Sequence, residues 1–435
     1  MIPALIAIGL LCLLGFPAAF ALEPDGEPGM RVGLSFLFGT GLAAVLLVAL
    51  SVAGIAWTRG SFAAIALPAF AALTYLALRH ARGRVRSGRL TQGLRFSPAA
   101  AALDALTAVA VAGHGIYATL VALGQWDFWS DWGLKAKVFS IHRGMDWVFL
   151  RDAENTFAHP DYPPLLPLTL DFFSLVRGEW EDRYLGLLFT AFGAALLLVA
   201  RGLLRQELGR PVAASLAALA LAGPALLLWI GIAEGPLIAY GSLGLLMLRR
   251  ASRASGATWT AGALLLGCAA LTKNEGLALL CSSGLALYLF CGARAARRLW
   301  PAALLAAIWV IPRFVLGLKT DLFQGPVIAR LTSHLAQSGL FVETLFRNWP
   351  HPLLWASLIA ALILSARQLA QERFLLSALL FQLFFYLFSF LVTPQDLVWH
   401  VWTSWARLLS LHAFCLTYLA SALLLKTAFA SAEAT

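Results

Sequence analysis

Long apolar runs, following one another almost without pause, constrain this chain more than any other feature. Apolar stretches of about 17–25 residues, each long enough for a helix to cross about 30 Å of hydrocarbon, recur along the chain. Only 12% of the 435 residues are charged, about half the roughly 25% usual in soluble domains. The runs are continuous and do not alternate apolar with polar, which argues against a membrane β-barrel. The expected fold is therefore an all-α, polytopic transmembrane helix bundle of about 11–13 spans. The runs cover approximately residues 2–22, 33–56, 61–79, 99–123, 184–203, 211–231, 235–248, 257–273, 276–292, 299–317, 352–366, 374–393 and 408–425.

The formal charge of +10 does not point to nucleic acid, because the basic residues punctuate the spans. Arg79, Arg82, Arg84, Arg86, Arg89 and Arg95 fill one connection; Arg201, Arg205 and Arg210 another. Arg249, Arg250 and Arg253, then Arg294, Arg297 and Arg298, then Arg367 and Arg373 follow. Alternating spans bring all of these to one side, which the positive-inside rule makes cytoplasmic. The N-terminus and the connections 125–183, 318–350 and 394–406 then face outward. The first run lacks the basic n-region of a secretory signal, so it is expected to be a retained helix. The five cysteines lie in or beside apolar runs without metal-like spacing and are expected to pack helices.

Between Trp126 and Asp182 this pattern breaks, and ten of the chain's 22 acids gather there. Within this segment, Trp126-Asp127-Phe128-Trp129-Ser130-Asp131-Trp132 leads into Lys135-Ala136-Lys137. Aromatic neighbours favour the neutral form of an acid and the lysines its ionised form, so Asp127 is a candidate general base. The plainer reading is an interfacial aromatic belt with solvated acids. His159-Pro160-Asp161-Tyr162-Pro163-Pro164-Leu165-Leu166-Pro167 carries four prolines that forbid a regular helix and fix a stiff path holding His159 and Asp161. Its plainer reading is a structural connection into the next helix.

Two later helix ends carry further charge. Lys273-Asn274-Glu275-Gly276 interrupts two spans with almost no loop, and Ala233-Glu234-Gly235-Pro236 sits at another outer end. Charge near membrane depth is costly and points to function, although a Lys273–Glu275 pair can also snorkel and cap helices. Thr393 to Arg407 adds His400 and Arg407 among indoles, a setting that suits a phosphate or, more simply, an anchoring belt.

Taken in order, these motifs resemble the GT-C superfamily of membrane glycosyltransferases, in the branch of the protein O-mannosyltransferases and bacterial lipid A aminoarabinose transferase-like enzymes. The residues carrying the resemblance are Trp126-Asp127, Lys135-Ala136-Lys137, Tyr162-Pro163-Pro164, Glu181-Asp182-Arg183, Lys273-Asn274-Glu275-Gly276 and His400 through Arg407, within roughly residues 100–425. The resemblance implies a GT-C-like domain over 99–425 whose large first extracytoplasmic loop, 125–183, is catalytic. N-terminal helices (1–98) would precede it and a cytoplasmic tail (426–435) would follow. It further implies transfer, with inversion, of a sugar from a polyprenyl-phosphate donor to a lipid, glycan or protein acceptor outside the plasma (inner) membrane. Asp127 matches the family's acid at the start of the loop, and Asp161 is a looser match for a second. Asp127 is followed by Phe128 where the family often has a second acid, which makes Asp131 an alternative base or metal ligand. Lys135, Lys137, His159, Tyr162, Lys273, Glu275, His400 and Arg407 are the expected substrate contacts, with Arg407, Lys273 and His400 facing the leaving phosphate. No cofactor is required, and a divalent cation is an option if the acids converge.

The main rival is a transporter or flippase, since carriers also place charges in the membrane. The polar residues here gather at outer helix ends, inverted repeats are not evident, and only Asp104 and Arg313 stand inside runs. A surface-polysaccharide polymerase or ligase, and a non-catalytic scaffold, are the remaining alternatives.

Overall fold

The computed structural model describes residues 1–85, 97–226, 230–253, 258–318, 320, 322 and 324–434. Arg86, Arg89 and Arg95 of the first basic cluster lie outside the described residues. Among those described, the chain is all helical and contains no strand. Four helices precede the acidic segment: α1 (Ile2–Leu22), α2 (Pro28–Val52), α3 (Arg59–Val85) and α4 (Pro98–Leu120). The segment itself folds into a π-helical turn (Phe128–Trp132), α5 (Gly133–His142), α6 (Trp147–Arg151), a 3-10 turn (Ala153–Ala158) and α7 (Leu165–Arg177). There follow α8 (Gly186–Leu208), α9 (Pro211–Ala225), α10 (Glu234–Arg253), α11 (Thr258–Thr272), α12 (Asn274–Cys291), α13 (Ala293–Arg297) and α14 (Trp300–Val315). The last third holds α15 (Val327–Ala336), α16 (Ser338–Arg347), α17 (Pro352–Leu364), α18 (Ala366–Leu369), α19 (Arg373–Leu391) and α20 (Leu397–Ala434).

Every apolar run coincides with a helix, but length and apolarity support eight membrane-spanning candidates among the described residues, fewer than the 11–13 expected. The shortfall has local causes. Lys273 adopts an extended conformation and cuts one hairpin into the short α11 and the 18-residue α12. The helices α9, α14 and α17 are only 15, 16 and 13 residues long, short of the about 20 a span needs. Eight spanning candidates make this a polytopic helical membrane protein.

Two other expectations change. The prolines of 160–164 do keep that stretch non-helical, but Pro167 lies in the first turn of α7, where its missing N–H would have no intrahelical partner. α7 is buried from Leu165 to Ser174. At the other end, α20 begins at Leu397, so Val398 to Arg407 is the first part of a 38-residue helix that continues through residues 426–434.

α3 and α4 are peripheral, yet 72% of α2's apolar window is buried, against 11% for α3. Glycines allow α1 and α2 to cross at backbone contact: a Cβ on Gly39 would stand 1.8 Å from the Leu11 carbonyl oxygen.

Ion pairs gather the opposite end of the bundle. Arg249 donates to both oxygens of Glu372 (2.6 and 2.7 Å) and both of Glu207 (2.8 Å each). Arg253 also meets Glu372, Arg250 meets Glu23, and Arg201 joins Glu27 to Asp104. The arginines that sequence assigns to a common side are thus held together by acids from α4, α8, the α1–α2 connection and the turn before α19. Met1 lies instead beside Arg177 and Glu179 at the acidic-segment end, so α1 runs from one end to the other. The pairs differ in burial: Arg249 is 4% exposed and Arg250 34%. Arg249→Ala should cost about 3–5 kcal/mol by stranding two buried carboxylates, whereas Arg250→Ala, which removes a partly exposed partner from the single carboxylate of Glu23, should cost less. Thermal unfolding of the two purified variants in detergent checks that order.

Candidate functional site

The α11–α12 break builds the centre of the site. Lys273 is the single extended residue between the helices, and α12 returns against α11 so closely that a Cβ on Gly276 would meet the Ala269 carbonyl oxygen at 1.9 Å. A glycine is required there, because any side chain would force the hairpin apart. The geometry pushes the Lys273 ammonium into the protein, where it lies 2.9 Å from Glu234 Oε1 at the start of α10 and 2.9 Å from Glu275 Oε1. Burying that charge is costly, and two carboxylates offset the cost.

From Glu234 the network reaches α20 and the acidic segment. Arg407 Nε lies 3.6 Å from Glu234 Oε1, and its Nη1 donates to Asp127 Oδ2 at 2.5 Å. Asp127, Glu234, Lys273, Glu275 and Arg407, which come from four distant parts of the chain, thus share one chain of charges. Asp127 is its most accessible carboxylate at 35% exposed, against 15% for Glu275 and 3% for Glu234. Buried Glu234 Oε2, Glu275 Oε2 and Arg407 Nε make no hydrogen bond among the described residues, which leaves donors and acceptors available inside the site.

Asn274 extends the site in the other direction. Its Nδ2 donates to Asp161 Oδ2 at 2.8 Å, and its Oδ1 accepts from Arg313 Nη1 at 3.2 Å. Trp309 of α14 donates to the Asp161 carbonyl at 3.0 Å. Burial raises the Asp161 pKa, opposed by the Asn274 bond and by Arg313. Trp309, Arg313 and Gln382, which donates to the Glu275 carbonyl, were absent from the expected site residues. Only Arg313 carries a signal in the sequence, a lone charge in an apolar run. Glu234 and Asn274 belong to the recognised motifs, but spacing could not assign them partners.

A second buried group braces the acidic segment. Lys135 is 2% exposed, 2.5 Å from Asp131 Oδ1, and donates to the His159 carbonyl at 3.0 Å. Its ammonium also lies 4.9 Å from the centre of the Trp132 ring and 5.7 Å from that of Tyr162, a cation–π arrangement. Tyr162 stacks on Trp132 and on the His159 ring. Lys135 therefore ties the turn after Asp127 to the turn before Asp161, and its charge is not presented to a substrate. Lys137 points outward, exposed, and takes no part in these contacts. His400 stands about two turns before Arg407 on the same face of α20, with Nδ1 2.7 Å from Thr393 Oγ1. Asp104, the other charge within a run, belongs to the Arg201 pair at the far end.

The expected catalytic and substrate-contacting residues other than Lys137 therefore lie in this region, but the cations Arg407 and Lys273 are already engaged by acids. Among the described residues no three His, Cys, Asp or Glu side chains are grouped so as to hold a metal ion. No family model, no curated protein and no solved structure matches the chain.

Burial pushes the Asp131 carboxyl up to about 7, against the pull of Lys135. An acid whose folded pKa exceeds its unfolded value, 3.8 here, loses folded-state advantage as pH rises between the two. The melting temperature should therefore fall from about pH 4 to about pH 7 and level off above. An Asp131→Asn variant should lack that slope; an identical slope would assign it to another group.

Proposed function

We propose that this protein is an integral-membrane glycosyltransferase that moves a sugar from a polyprenyl-phosphate-linked donor to an acceptor at the extracytoplasmic face. The reading rests on one observation above all: Asp127, Asp161, Lys273 and Arg407 converge at one end of the bundle although they come from four separate segments. The resemblance of the motifs to GT-C enzymes supports it, as does the charge at helix ends and not at mid-membrane. Asp104, which a carrier would need free, is paired to Arg201.

In this mechanism Asp127 removes a proton from the acceptor hydroxyl or amine as that atom attacks the anomeric carbon. The polyprenyl phosphate departs with the electrons of the broken glycosidic bond. Asp127 suits the role because it is the reachable carboxylate, and Arg407 holds Oδ2 so that Oδ1 faces the acceptor. Asp161 and Asp131 are more deeply buried and less able to meet an acceptor. Glu234 Oε2 and Glu275 Oε2 are acceptors suited to sugar hydroxyls.

Membranes containing the protein should transfer label from a polyprenyl-phosphate sugar to a lipid, glycan or protein fraction. Asp127→Asn should abolish that transfer while expression and insertion stay normal; turnover near the wild-type rate would remove Asp127 from the base role. Arg407→Ala should lower kcat/KM by about 2–5 kcal/mol in transition-state terms, the range for truncating one partner of a buried, hydrogen-bonded pair. Movement of labelled lipid across proteoliposomes without any glycosidic product would favour the flippase reading.

A further inference from the structure

Beside the charge cluster, two cavities of about 620 and 570 Å³ share a wall formed by Leu277 and Arg313. Asn274 stands at the head of the second, which continues past Cys281 and Leu285 of α12 and Phe381 and Phe384 of α19. From Asn274 to Leu285 the helix rises about 16 Å, half of the hydrocarbon thickness of about 30 Å. The far walls are apolar, and Leu285, Phe384 and Phe314 are strongly exposed, as side chains facing lipid are. The trough is thus polar at the level of Asp161, apolar toward mid-membrane, and open sideways.

The state of the cations separates this trough from the Arg407 cluster. Arg407 is shared by Asp127 and Glu234, and Lys273 by Glu234 and Glu275. Those two cations therefore face three acids, and a further anion would enter against net negative charge. Among the described residues, Arg313 has neutral oxygens of Leu318 and Asn274 as hydrogen-bond acceptors, and the acid paired with it, Asp161, stands 3.8 Å away and is 1% exposed. Its forked guanidinium lines both cavities, and such a fork matches a phosphate.

We propose that this trough seats a single-chain lipid phosphate, with the head group on Arg313 and the chain along α12 and α19. Arg313, and not Arg407, is then the primary anion contact. The assignment rests on the transferase reading only in taking that lipid to be a substrate.

The test is binding of a long-chain polyprenyl phosphate to the full-length protein in detergent, followed by native mass spectrometry. Arg313→Gln should weaken binding at least tenfold, and Leu285→Trp, which fills the trough without touching charge, should do the same. The uncharged polyprenol should bind the wild type at least tenfold more weakly, with no further loss in Arg313→Gln. Thermal melts of both variants separate loss of a ligand from loss of the fold, and a melted Arg313→Gln leaves the decision to Leu285→Trp and the polyprenol comparison. Unchanged binding in folded Arg313→Gln overturns the proposal, as does a loss seen only in Arg407→Ala. Equal competition by phosphatidylglycerol would make the trough a site for bulk anionic lipid and would also overturn it. Intact, Arg313-dependent binding without sugar transfer would retain the site and refute the transferase reading; transfer without Arg313-dependent binding would do the reverse.

Discussion

The buried contact between Lys273 and Glu234 is the interaction on which the site depends. Lys273 is placed where α11 stops and α12 starts, and its ammonium lies within the protein with Glu234 and Glu275. Glu234 also faces Arg407, which holds Asp127. The next residue, Asn274, holds Asp161 and meets Arg313. Loss of the central pair would leave a charge stranded in a low-dielectric region, where removing one partner typically costs about 3–5 kcal/mol. Residues from the acidic segment, α10, α12, α14 and α20 take their positions from this one junction.

A second constraint keeps the acidic segment rigid. A loop between membrane helices would be expected to move, yet this one folds into short helices around Lys135, and α7 is buried along most of its length. Lys135 joins Asp131 to the His159 carbonyl between two aromatic rings. Asp127 and Asp161, 34 residues apart in sequence, are consequently held on either side of a single braced unit. A general base benefits from such fixing, because misplacement by about 1 Å can cost about a hundredfold in rate. At the other end, the Arg249, Arg250 and Arg201 pairs fasten the helices together.

Much of the fold is legible in the sequence because the bilayer imposes a simple rule on it. Each apolar run becomes a helix, since no water is present to satisfy an open backbone. The positions of Arg201, Arg249, Arg250 and Arg253 suffice to put them at one end. Helix limits are less legible: Arg407, expected near the start of the last span, lies on the eleventh residue of α20. The site is legible in part. Asp127, Asp161, Lys273 and Arg407 stand out because charge is scarce in this chain. Their pairing does not, because Asp127 and Arg407 are 280 residues apart and no local spacing relates them. Lys135 shows the limit most clearly: a substrate contact is expected there from sequence, and packing against Trp132 and Tyr162 turns it inward.

The sequence by itself determined that this is a helical membrane protein, which segments are apolar and where its scarce charges lie, because hydrophobicity and helix length are properties of contiguous residues. Tertiary structure alone decided which of those charges neutralise one another and which remain open to a ligand. It closed Lys273, Lys135 and Arg249 into buried pairs and left Asp127 reachable and Arg313 facing a cavity. The physical reason is that a charge's chemistry depends on its burial and on partners within about 4 Å, and those partners come from helices far apart in the chain.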